Sequence, residues 1–126
     1  MTSMVIIGAG PGGYEAASVA AAGGVDVTVV EETGIGGAAV LTDCVPSKTL
    51  IATAEVTSTL RRAAELGLRH TETFEVDLDA VNSRVRQLAQ AQSDDISRGL
   101  ERKGVRLISG RARLATGAPG HLHRVV

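Results

Sequence analysis

The stretch Met4-Val5-Ile6-Ile7-Gly8-Ala9-Gly10-Pro11-Gly12-Gly13-Tyr14-Glu15-Ala16-Ala17 decides the fold. Its first four residues are continuously apolar and run into glycine, the pattern of a strand buried on both faces of a parallel sheet. Pro11 suits the first turn of a helix, where its missing N–H is not needed. From Pro11 to Ala22 the residues are helix-compatible, and Ala16, Ala17, Ala20, Ala21 and Ala22 let such a helix lie close to a sheet. Gly23 and Gly24 stop it. Val25 to Val30, β-branched and apolar except for Asp26, reads as a second buried strand. Strand, helix and strand make one βαβ unit.

Within that unit, Gly8-Ala9-Gly10-Pro11-Gly12-Gly13 has the form G-x-G-x-x-G between strand and helix. Gly8 permits the tight turn, Gly10 lets the backbone approach a pyrophosphate, and Gly13 lets helix and strand pack closely. The phosphates of a dinucleotide would sit on the unpaired N–H groups of the helix start. The bland alternative is a glycine-rich turn with no ligand. Glu31 weighs against it, because it follows Val30 at the strand end, in the range expected for the carboxylate that accepts ribose hydroxyls. Glu32 is adjacent and competes for that role; otherwise both are solvated strand-end charges.

Downstream, Glu31 to Asp43 reads as a loop containing Gly34, Gly36 and Gly37. A helix is expected from about Val45, with Pro46 in its first turn, to about Leu66, where Gly67 ends it. A longer helix is expected from Asp77 to Arg102, with Val81, Val85, Leu88, Ile96 and Leu100 sharing an apolar stripe and Gln92 filling one gap. Gly104 stops it. Val105 to Ser109 reads as a third strand. Arg111 to Leu114 and His121 to Val126, joined by a Gly117-Pro119-Gly120 turn, read as a hairpin. The fold class is α/β: a Rossmann-like βαβ unit with a parallel sheet, long helices and the start of an antiparallel hairpin.

Composition narrows the function. The 126 residues carry 13 basic and 14 acidic groups and a net charge of -1, so no electrostatic case exists for nucleic acid. Aromatics are 2%, so the core must rest on Val, Leu, Ile and Ala. One cysteine, Cys44, excludes an intrachain disulfide framework and a Cys-cluster zinc site. No apolar run reaches the ~20 residues of a membrane span. The opening residues lack the basic start and long apolar stretch of a secretory signal, so a cytoplasmic location is expected, and a lone thiol agrees with it. His70, His121 and His123 assemble no ligand set, and no metal is expected. The charges from Arg84 to Arg102 read as the wet face of the long helix.

A further segment carries a specific resemblance: Gly36-Gly37-Ala38-Ala39-Val40-Leu41-Thr42-Asp43-Cys44-Val45-Pro46-Ser47-Lys48. It resembles the redox motif of the flavin-dependent pyridine nucleotide-disulfide oxidoreductases, the family of dihydrolipoamide dehydrogenase and glutathione reductase. There two glycines lead into a cysteine pair with four residues between them, then a hydrophobic residue, a proline and a lysine. The match runs in register from the start of the chain to Lys48 and includes the glycine turn and Glu31. Ala39 stands where the family has its first cysteine, and a dithiol relay needs two sulfurs. In this respect the pattern resembles an actinobacterial NAD(P)H:quinone reductase subgroup.

The resemblance implies FAD as cofactor, NAD(P)H as co-substrate, a quinone-type acceptor and a homodimer. It implies that Gly8, Gly10, Pro11, Gly12, Gly13, Glu31, Glu32, Gly36 and Gly37 border the cofactor. It also implies that Cys44 abuts the flavin ring and that Lys48 sits near its reactive nitrogen, where a cation stabilises electron density on reduced flavin. Placed at a helix start, Cys44 would be favoured as thiolate, with Lys48 one turn along the same face. The plain alternatives are an inert buried thiol and a solvated lysine. Family members are several times longer, so residues 1–126 are expected to form the N-terminal part of an incomplete FAD-binding domain, inactive by itself, with exposed strand edges. Two other functions are consistent with the sequence: a dihydrolipoamide dehydrogenase or other disulfide reductase, and a non-catalytic nucleotide-binding module.

Overall fold

A three-stranded parallel sheet organises the protein. In the computed structural model, residues 2–69, 74–115 and 124–126 are described. β1 (Ser3–Ile7) leads through α1 (Pro11–Ala22) to β2 (Asp26–Glu31), the expected βαβ unit. β1 pairs in parallel with β2, placing Ile6 beside Val29 and Ile7 beside Val30. β3 (Arg106–Ser109) adds to the other edge of β2, also in parallel, with Val29 beside Leu107. The chain reaches β3 by way of α2 (Gly37–Leu41), α3 (Cys44–Arg61), a 3-10 turn at Ala63–Leu66 and α4 (Leu78–Arg102).

Strand alternation divides the sheet into a covered and an open face. Val27 and Val29 are fully buried and pack with Ala9, Ala17, Leu100 and Val105, and Ile6, Tyr14, Ile35, Ile96 and Leu107 surround them. Ala17, on the sheet-facing side of α1, is fully buried in this cluster. The opposite face carries Val5, Ile7 and Ile108, which stay 47%, 45% and 45% exposed. Parallel strands normally bury both faces; among the described residues nothing covers this one.

α4 begins at Asp77, whose side chain accepts a 2.9 Å hydrogen bond from the Ala80 N–H, an N-cap that satisfies one orphan donor. Its buried line is not the expected one. Ala89, Ser93 and Leu100 are buried, with Val85 and Ile96 partly so, while Leu88 is 40% exposed and Gln92 exposed. Small residues at 89 and 93 let α4 approach its neighbours closely, which turns the bulkier Leu88 to the rim. α3 buries Thr49 by back-bonding: its hydroxyl donates to the Val45 carbonyl at 2.8 Å, and Thr53 and Thr57 repeat the arrangement.

Two expectations require correction. The region read as a loop from Glu31 to Asp43 contains the helix α2, and the helix after it starts at Cys44 and gives way to the 3-10 turn after Arg61. The hairpin is present as β4 (Leu114–Ala115) and β5 (Arg124–Val125), antiparallel, with Leu114 opposite Val125. Its turn, along with His70, His121 and His123, lies outside the described residues.

Candidate functional site

The glycine turn lies where β1 meets α1. Gly8 donates its N–H to the Val30 carbonyl at 2.8 Å, which holds the turn against the end of β2. A Cβ built on Gly13 would lie 2.0 Å from the Gly8 carbonyl oxygen, a backbone atom that cannot yield, so helix and strand approach as closely as the sequence pattern requires. At Gly10 and Gly12 a Cβ would meet nothing within 4 Å. No side chain caps the start of α1. The first-turn N–H groups therefore have no side-chain acceptor of their own, as a diphosphate site requires.

Glu31 closes this turn. Its Oε2 accepts the Ala9 N–H at 2.7 Å, and its Oε1 accepts the Thr33 N–H at 2.7 Å, the Thr33 hydroxyl at 2.8 Å and the Gly34 N–H at 3.3 Å. Partial burial opposes ionisation, but these four donors, led by Ala9, outweigh it and hold the carboxyl down at about 2. Oε2, with one donor, retains capacity for a hydroxyl. Gly8, Glu31 and Glu32 line a cavity of ≈ 250 Å³ together with Gly110 and Arg111. Glu32 is exposed and faces Arg111 at 3.8 Å.

The second motif is tied to the first. Gly36 donates its N–H to the Ala9 carbonyl at 2.8 Å. Gly37, at φ 60°, packs on Gly10 so closely that a Cβ would lie 3.0 Å from the Gly10 Cα. The loop between them is also held from behind: the buried Ser93 hydroxyl of α4 donates to the Ile35 carbonyl at 2.6 Å. Sequence reading missed Ser93, since a lone serine in a long helix carries no local signal.

Ala39 is half-buried in α2, and Cys44 is a free, exposed thiol at the first residue of α3. Lys48 is exposed one turn further along. Cys44, Val45, Lys48, Thr49, Ala52 and Arg84 line a separate cavity of ≈ 350 Å³. The glycine turn, Glu31, Gly36 and Gly37 therefore form one connected unit, and Cys44 and Lys48 form another, with α2 between them. Among the described residues no cluster could hold a metal ion, and no helix is long and apolar enough to cross a membrane.

The sequence profile of the pyridine nucleotide-disulphide oxidoreductases matches residues 2–122. The chain belongs to this family. Among its relatives in the family, an NAD(P)H dehydrogenase (quinone) of Mycobacterium tuberculosis is 48% identical over 124 residues, covering 95% of this chain and 25% of that protein. A dihydrolipoyl dehydrogenase of Chlamydia muridarum is 36% identical over 110 residues, covering 87% of this chain and 23% of that protein. The crystal structure of LpdA from M. tuberculosis superposes with a TM-score of 0.91 at 47% identity, over 99% of this chain and 27% of that one. The disulfide reductase RclA of Escherichia coli shares the fold, with a TM-score of 0.69 at 22% identity, over 90% of this chain and 22% of that one. This member of the oxidoreductase family thus spans about a quarter of the length of the relatives it matches.

Proposed function

We propose that residues 1–126 are the N-terminal, FAD-binding part of a cytoplasmic, homodimeric flavoprotein that passes electrons from NAD(P)H to a quinone-type acceptor. The observation that carries this reading is Ala39 in α2 with Cys44 as the single thiol. With one sulfur, no intrachain disulfide can form, and a dithiol substrate has no relay to exchange with. The 48% identical NAD(P)H dehydrogenase (quinone) supports the same acceptor class.

The residues present fit FAD. Open space over Gly10 and Gly12 and the uncapped start of α1 suit its diphosphate. Glu31 would accept a ribose hydroxyl on Oε2, and Glu32 borders the same cavity. Gly36 and Gly37 fix the approach of the second motif, and Cys44 and Lys48 would border the flavin ring. Bound FAD supplies two-electron transfer between nicotinamide and acceptor. Lys48 would supply a positive charge beside the ring and Cys44 a polarizable wall. The 126 residues hold one glycine fingerprint, so a nicotinamide site would lie outside them, and this stretch alone turns over nothing.

The test is a pair of assays on the protein expressed with its flanking coding sequence. A yellow protein that oxidises NAD(P)H with a naphthoquinone and leaves lipoamide untouched is the expected result. Vigorous lipoamide turnover would overturn the reading in favour of a disulfide reductase, and a colourless protein that binds no flavin would favour a non-catalytic nucleotide-binding module.

A further inference from the structure

Ser93 uses its hydroxyl differently from the serine one turn later in α4. Ser97 bonds back to the Ser93 carbonyl at 2.9 Å, the usual habit of a helical serine. Ser93, only 6% exposed, instead donates out of the helix to the Ile35 carbonyl, 58 residues away in sequence. That carbonyl shares a peptide unit with the Gly36 N–H, which donates to the Ala9 carbonyl at 2.8 Å. The Ala9 carbonyl shares the next unit with the Gly10 N–H. In a trans peptide the C=O and N–H point opposite ways. The series therefore starts on α4, passes through two peptide units and ends on the Gly10 N–H, which has no acceptor among the described residues.

The glycine turn has few donors to spare. Pro11 has no N–H, and the Tyr14 N–H is taken by the Gly10 carbonyl at 3.0 Å, which leaves those of Gly10, Gly12 and Gly13. We propose that Ser93 is a positioning residue for cofactor capture: by fixing the Ile35–Gly36 peptide it sets the Ala9–Gly10 peptide and so aims the Gly10 N–H at the diphosphate. The inference rests on the FAD reading of the turn. Ala9 is fully buried, with its N–H held by Glu31 and its C=O by Gly36, so a rotation of one peptide unit passes to the next. Hydrogen bonds in series also polarise one another, so the buried hydroxyl strengthens the donor at the far end. Glu31 is anchored independently, since its Oε1 keeps the Thr33 and Gly34 N–H groups. Ser93 thus governs the phosphate end of the ligand and not the ribose end.

The test uses the protein expressed with its flanking coding sequence, stripped of flavin and titrated with FAD and with adenosine, which carries the ribose but no phosphate. Ser93→Ala is expected to weaken FAD binding by about ten-fold and to leave adenosine binding unchanged. Ser93→Thr, which keeps a hydroxyl, recovers most of the FAD affinity. Ser97→Ala, one turn along the same helix, leaves both ligands as in wild type. Circular dichroism confirms that each variant is folded. Equal FAD affinity in wild type and a folded Ser93→Ala overturns the inference and leaves the FAD reading standing. So does an equal loss for adenosine, which would indicate a general loosening of the turn, or an equal loss of FAD affinity in Ser97→Ala. A wild type that binds adenosine but no FAD overturns the FAD reading and this inference with it.

Discussion

The Glu31 carboxylate and the Ala9 amide, 22 residues apart, share a 2.7 Å hydrogen bond that ties the end of β2 to the glycine turn. The group expected to serve a ribose therefore also serves the fold, shaping the turn that precedes α1 before any ligand arrives.

This bond makes acid stability a readout of Glu31. The folded carboxyl sits at about 2, below its ordinary value of 4.5. A group depressed in the folded state stabilises fully above its unfolded value and loses that contribution as pH falls through the folded one. The stabilisation is thus complete above pH ~5 and is lost on acidification toward pH ~2. Allowing for solvent screening, it amounts to about 1–2 kcal/mol. Glu31→Gln should lower the urea midpoint at pH 7 by a corresponding amount and flatten its decline between pH 5 and 2. An unchanged pH profile in Glu31→Gln would show that the carboxylate does not hold the turn.

Gly12 and Gly13 are adjacent yet should respond oppositely to alanine. At Gly13 the new methyl would press on the Gly8 carbonyl oxygen, forcing α1 away from β1 at a cost of about 3 kcal/mol or more. At Gly12 it enters open space, and the better helix former leaves stability equal or raises it by up to about 1 kcal/mol. On the proposed reading that methyl would occupy the approach of the diphosphate, so Gly12→Ala should weaken FAD binding by about ten-fold or more, roughly 1.4 kcal/mol. Thermal melts and flavin fluorescence titrations separate the two effects. Equal melting temperatures for the two variants would refute the close-approach argument.

Ser93→Ala should cost about 1–3 kcal/mol, because it leaves the Ile35 carbonyl without its buried donor. Hydrogen exchange at Gly36 and Gly37 should accelerate with it, since the loop loses its attachment to α4. A stability within 0.5 kcal/mol of wild type, about the size of an ordinary surface change, would mean that the bond is not formed in solution.

The open sheet face predicts self-association. Val5→Thr and Ile108→Thr keep the β-branched shape that strands favour and replace a methyl and an ethyl group, respectively, with a hydroxyl on exposed positions. Each should change folding stability by less than about 0.5 kcal/mol. Together they should reduce concentration-dependent association of the 126-residue chain in sedimentation velocity. No change in association would place the sticky surface elsewhere.

Much of this arrangement was legible in the residues. The apolar run into glycine, the proline at a helix start and the β-branched second strand each have a local physical cause, and β1, α1 and β2 follow them closely. The nearness of Glu31 to the glycine turn follows from the same βαβ geometry, and the Ala9–Glu31 bond realises it. α2 was not legible, because five residues behind two glycines carry no periodicity; tertiary contacts, the Gly36–Ala9 bond and the packing of Gly37 on Gly10, hold it in place. The buried line of α4 was misjudged at Leu88, because side-chain size suggested burial where close packing required Ala89 and Ser93. Arg84 read as one charge on a wet face. Only the pairing of α3 with α4 brings it beside Cys44.

Ser93 gives α4 a grip on the segment between the two motifs, and the same helix reaches further in both directions. It extends about 37 Å for its 25 residues. Arg84 stands beside Cys44 toward one end, and at the other Lys103 donates to the Ser18 hydroxyl of α1. One splint thus braces both signature segments. Fraying at its middle would slacken the two together, so a cofactor captured between them should shield α4 from proteases although it touches none of the residues they cut.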